Sequence, residues 1–89
     1  MQNILELSYE EKLQLTRNPN TSQETLEVLA TDEDSIVRYW VARNPNTSQE
    51  TLSILATDED FDVRYGVALN PNATEIIRRL VLMTDAEHS

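Results

Sequence analysis

Residues 17–42 read RNPNTSQETLEVLATDEDSIVRYWVA, and residues 43–68 read RNPNTSQETLSILATDEDFDVRYGVA. The two 26-residue stretches differ at only five positions (27/53, 28/54, 35/61, 36/62 and 40/66). A third copy opens at Leu69 as LNPNATE and then diverges, and LTRNPN at 15–20 is the tail of an earlier copy. Self-similarity at this period predicts stacked supersecondary units, each burying its apolar face on the next, in place of one globular core. The expected fold is all-α, a short α-solenoid of two-helix repeats.

Each repeat reads as a pair of short helices. Thr21 with Glu24, and Thr47 with Glu50, have the spacing of a capping box that opens the first helix. Leu26, Leu29 and Ala30 then share one face, with Val28 elsewhere on the wheel. In the turn Thr31-Asp32-Glu33-Asp34 an acidic group caps the second helix and favours its positive dipole end. That helix carries Val37, Arg38, Val41 and Ala42 on one face. It ends at Asn44 before Pro45, where Asn tolerates a left-handed residue and Pro cannot continue the helix. The same stop recurs at Asn18-Pro19 and Asn70-Pro71.

The ends follow the same register. Ser8 and Glu11 form a further capping box, opening a helix over roughly 9–17. The last helix is expected over roughly 74–84. The chain therefore divides into a half repeat at 8–16, repeats at 17–42 and 43–68, a C-terminal half repeat at 69–84 and a frayed tail at 85–89. That makes about six short helices in a single domain of 89 residues.

Composition narrows the functional classes. There is no cysteine, hence no disulfide framework, thiol nucleophile or cysteine-ligated metal. Sixteen acidic residues against seven basic ones give a net charge of −9. That balance disfavours direct contact with nucleic acid or an anionic membrane, and suits a basic partner protein or solubility alone. The opening MQNILELSYEEKLQL has neither the basic start nor the apolar run of a signal peptide. No stretch approaches the roughly 20 apolar residues of a membrane span. A cytoplasmic protein is the default expectation.

Several residues have both a structural and a functional reading. Arg38 and Arg64 are expected to pair with Asp34 and Asp60 four residues earlier, and in addition with an acid of the next repeat. Asn18, Asn44 and Asn70 share one phase and could form a ladder that satisfies loop carbonyls and N–H groups. The triplets Asp32-Glu33-Asp34 and Asp58-Glu59-Asp60 read first as caps on a solvated face and second as an acidic recognition stripe. A metal site is disfavoured, because the spacing and glycine of a calcium loop are missing. Trp40, whose repeat equivalent is Gly66, is expected to lie across the next repeat over that glycine, or to serve as a partner hot spot. Tyr39 and Tyr65 recur on the other flank with the same two readings. Ile76, Ile77, Leu80, Val81, Leu82 and Met83 make the last helix more apolar than a terminal repeat normally is, which points to self-association through it.

The run LATDEDSIVRYWVARNPNTSQETL at 29–52 resembles the variant leucine-rich repeat family. Its elements are Leu29-Ala30, the acidic turn with Asp32 and Asp34, Val37-Arg38, Val41-Ala42, and Asn44-Pro45 with Thr47. The resemblance covers about 15–77 and is also similar to short HEAT-like repeats. It implies a right-handed superhelix of alternating helices, the second of each pair sometimes of 3₁₀ type. It implies binding surfaces and no shared reaction. The cysteine-bound iron–sulfur domain of founding members has no counterpart here, since there is no cysteine.

No catalytic constellation is visible. The one histidine, His88, is penultimate, and a single glycine rules out a glycine-rich phosphate loop. Carboxylates duplicated on repeated turns read as scaffold. The expected function is a non-catalytic protein–protein interaction module without cofactor or metal. Its candidate contacts are Trp40, Tyr39, Tyr65 and the two acidic triplets. One alternative is an acidic inhibitor or nucleic-acid mimic in a basic groove. The other is a self-assembling structural protein, including a homodimer through Ile76, Ile77, Leu80, Val81 and Met83.

Overall fold

The computed structural model of the chain describes residues 3–88. Among them are six α-helices and no strand: α1 (Tyr9–Arg17), α2 (Gln23–Leu29), α3 (Ser35–Arg43), α4 (Gln49–Leu55), α5 (Phe61–Leu69) and α6 (Glu75–His88). A single 3₁₀ turn, Ile4–Glu6, precedes them and packs on α2. The second helix of each repeat, whose type the resemblance left open, is α. Helices of like phase pack in succession, α1 on α3 and α3 on α5, and α6 closes against α5 and α4. The result is elongated, 40 × 23 × 17 Å.

The core runs through this stack as one continuous cluster. Leu26 and Leu29 of α2, Val37 and Val41 of α3, Leu52 and Leu55 of α4, and Val63 and Val67 of α5 are all essentially solvent-free. Ile77 and Val81 of α6 complete it. Each such side chain contributes about 1.5–3 kcal/mol by leaving water. Because each repeat buries its apolar face on its neighbour, these helices of seven and nine residues persist where isolated ones would not.

Three details differ from the sequence expectation. The first helices are capped by Ser22 and Ser48, one residue later than Thr21 and Thr47. Each serine oxygen accepts from the backbone N–H three residues on, of Thr25 and Thr51. The preceding threonines are drawn away by packing. Thr21 Oγ1 donates to the Leu15 carbonyl and Thr47 Oγ1 to the Val41 carbonyl, both at 2.6 Å, closing the last turns of α1 and α3. Glu24 and Glu50 therefore belong to no capping box, whereas the Ser8–Glu11 box is complete.

The second difference is at the helix ends. Asn18, Asn44 and Asn70 adopt extended backbone, with ψ of 118°, 128° and 121°, and no described residue has positive φ. The chain leaves each helix along an extended Asn-Pro step, the conformation a residue before proline prefers.

The third is the tail. Residues 85–88 do not fray; α6 continues through them to His88, and Ser89 lies outside the described residues. In the repeats the aspartates at 34 and 60 cap a new helix. The equivalent position here is Ala86, a strong helix former with no capping oxygen. Nothing in the sequence stops the helix at the turn, and it runs on.

Candidate functional site

The polar groups separate into those that hold repeats together and those left facing outward. The asparagine ladder belongs to the first set. Asn44 Nδ2 donates to the carbonyls of Thr16 (2.7 Å) and Asn18 (2.9 Å) one repeat earlier. Asn70 Nδ2 does the same with Ala42 (2.8 Å) and Asn44 (3.0 Å). Each Oδ1 turns back to accept from the backbone N–H two residues on, at Asn46 and Asn72. Among the described residues no asparagine forms the next rung. In its place Arg78 supplies the donors: Nη2 to the Asn70 carbonyl (2.9 Å), Nε to that of Ala68 (3.4 Å) and Nη1 to that of Ala73 (2.8 Å).

The acidic triplets are likewise drawn into the scaffold. Asp32 pairs with Lys12 (2.6 Å), Asp58 with Arg38 (2.9 Å), and Asp85 with Arg64 (2.6 Å), so each cation reaches an acid 20 or 21 residues later in the chain. Arg38 and Arg64 do not pair with Asp34 and Asp60, because those two cap α3 and α5 through their own Oδ1 atoms. The Arg38–Asp58 contact is bidentate, and Arg38 Nη1 also donates to the carbonyls of Asp32 and Glu33. The hydrogen bond to Asp58, opposed by burial, raises the Arg38 pKa above its ordinary value. Of the six triplet carboxylates, only Glu33 and Glu59 stay exposed without an ion pair. No group of three or more metal-ligating side chains comes together among the described residues.

Trp40 does not lie over Gly66. A Cβ on Gly66 would sit 3.0 Å from Tyr39 Cδ1 and 3.1 Å from Ala42 Cβ, so the glycine makes room for Tyr39 and for the close approach of α3 and α5. Trp40 leans the other way, toward α1, with the Arg17 guanidinium 5.1 Å from its ring centre. Tyr39 meets Trp40 edge-on at 5.2 Å. A Trp side chain grows from the flank of α3 that faces the earlier repeat, a direction set by helix packing and not by residue spacing.

An outward apolar feature spans α3 and α5. Ser35, Ile36, Tyr39, Asp62 and Tyr65 line a groove of about 300 Å³. Ile36 is 49% exposed, Tyr65 50% and Phe61 57%. Phe61 and Tyr65 stack nearly parallel, centres 6.3 Å apart, so the groove has a pre-ordered aromatic wall. The sequence reading found Tyr39 and Tyr65 but missed Ile36, Phe61 and Asp62. The available signal was divergence, because 35/61 and 36/62 are two of the five positions where the repeats differ: Ser35, Ile36 and Asp62 line the groove, and Phe61 stacks on Tyr65 beside it.

The last helix splits its apolar residues. Ile77 and Val81 are buried in the core and cannot meet a partner, and Leu80 is half-buried against it. Ile76, Leu82 and Met83 remain exposed.

Comparison with known proteins gives one result. The family model for the leucine rich repeat variant matches residues 37–60, from α3 to the cap of α5. The resemblance read from Val37-Arg38, Val41-Ala42 and Asn44-Pro45 is borne out over that segment. No curated protein and no solved structure matches the chain.

Proposed function

We propose that the protein is a non-catalytic protein-interaction module of the variant leucine-rich repeat type, presenting the α3–α5 groove to a partner polypeptide. The carrying observation is the contiguous exposure of Ile36, Phe61 and Tyr65 around a stacked aromatic pair, on a scaffold whose polar groups are engaged elsewhere. Rigid aromatic side chains give large contact area at low entropic cost, which is why they dominate binding hot spots. Asp62 on the rim favours a segment carrying Lys or Arg beside an apolar residue.

The alternatives draw less support. An acidic mimic would need its regularly spaced carboxylates free, and four of the six triplet carboxylates are engaged within the fold. Head-to-tail assembly would need open rungs at the C-terminal end, and Arg78 and Asp85 already fill them.

The test is site-specific photo-crosslinking in cells of the source organism, with the probe at position 65 or at position 24 on the opposite helix layer. A discrete adduct is expected from 65 and not from 24, and Ile36→Asp is expected to abolish it. Equal labelling from both positions, or none from 65, overturns the assignment.

A further inference from the structure

The ion-pair pattern leaves two cations over. Among the described residues Lys12, Arg38, Arg64 and Arg79 each pair with a carboxylate, and Arg78 holds backbone carbonyls. Of the seven cations, Arg17 and Arg43 alone have neither a carboxylate nor a backbone carbonyl as partner among these contacts, in a chain with 16 acids. They are one repeat apart and line a single pocket of about 170 Å³ with Trp40, Thr16, Asn44 and Pro45. Arg17 stacks on Trp40 at 5.1 Å. Arg43 lies 5.9 Å from the Tyr39 ring centre and uses Nη1 to donate to Tyr39 Oη at 2.9 Å. The order in space is guanidinium, indole, phenol, guanidinium.

We infer that this pocket is a carboxylate clamp, which takes an Asp or Glu side chain from a partner protein segment. The Arg17 guanidinium stacked on Trp40 keeps its outer N–H edge free, Arg43 keeps Nε and Nη2 after giving Nη1 to Tyr39, and carboxylates match such an edge with two parallel bonds. Small-molecule sites usually run to 300 Å³ or more, so a pocket of about 170 Å³ suits one acidic side chain and not a nucleotide. The net charge of −9 repels a polyanion over the whole surface, while a single carboxylate meets only the two local cations. The inference rests on the interaction-module reading only in taking a protein segment as ligand.

Trp40 is the only tryptophan, so its fluorescence reports the pocket directly. The probe is the capped tetrapeptide acetyl-Leu-Glu-Glu-Leu-amide, titrated against the full chain, with the Gln-Gln analogue and a phosphoserine analogue in parallel. A saturable change in emission is expected for the Glu peptide, with binding roughly tenfold weaker for the Gln analogue and for Arg17→Ala or Arg43→Ala. Arg17 is exposed and outside the core, so Arg17→Ala decides the matter if Arg43→Ala fails to fold. No saturable change up to roughly 10 mM (a binding free energy weaker than about −3 kcal/mol), equal binding of the Gln analogue, an unchanged Arg17→Ala affinity, or tighter binding of the phosphoserine peptide each overturns the carboxylate assignment. The crosslinking at position 65 reads a different groove, so it separates failure of the clamp from failure of the module.

Discussion

Replacing Asn70 by Ala removes one rung of the ladder that ties α5 to the repeat before it. The side chain is fully buried and makes three hydrogen bonds, two through Nδ2 and one through Oδ1. The Ala42 carbonyl would lose a buried partner outright, a cost of about 1–3 kcal/mol. The Asn44 carbonyl keeps its bond from the Thr47 N–H, so the second loss is about 0.5–1.5 kcal/mol. The Asn72 N–H lies on an exposed loop and can turn to water. The expected destabilisation is about 2–4 kcal/mol, a large part of the roughly 4–13 kcal/mol that a chain of this length has in total. Asn18 occupies the same phase with no described repeat before it. Its side chain is exposed and accepts only from the Asn20 N–H, so Asn18→Ala should cost less than about 1 kcal/mol. Urea unfolding followed by far-UV circular dichroism compares the two. Similar losses for Asn18→Ala and Asn70→Ala would refute the inter-repeat role, since both would then act only as local caps.

Two further outcomes follow from the corrected caps and the glycine. Ser48→Ala should lower stability by about 1 kcal/mol while Glu50→Ala changes it by only a few tenths, and the reverse order in the same assay would restore the Thr47–Glu50 capping box. Gly66→Ala gains about 1 kcal/mol of helix propensity but meets Tyr39 and Ala42 at overpacking costs of about 1–3 kcal/mol, so a fall in Tm is expected and a rise would show that α3 and α5 are free to separate.

What was legible in the sequence was whatever one repeat determines alone. The period, the helix count, the Ser8–Glu11 box and the core leucines and valines follow from local spacing. What was not legible depends on the neighbouring repeat. Both residues of Thr21-Ser22 are good caps, and only the position of the Leu15 carbonyl decides between them. Arg38 and Arg64 do reach an acid of the next repeat, as the sequence suggested, but which acid, 20 or 21 residues on, is not given by spacing within a helix. Trp40 could lean to either neighbour, and Gly66 suggested the wrong one. Two signals were nonetheless present in the sequence. Ala86 stands where a capping Asp would be, which foretells the longer α6. Arg17 and Arg43, like Lys12, have no acid three or four residues away on either side, which marks all three as cations without a partner on their own helix.

The phasing of the ladder also governs how the array can lengthen. An interior asparagine donates its amide to the unit before it and lends its carbonyl to the unit after it. A further 26-residue copy inserted between 42 and 43 would find a waiting acceptor on one side and a waiting donor on the other. A copy appended after α6 would find those acceptors taken, because Arg78 already donates to the carbonyls of Asn70 and Ala68. In polymer terms the interior repeats are monomers and α6 is an end group. Longer and shorter forms of such a chain are therefore expected to arise by gain or loss of interior units, with the terminal helix carried along unchanged.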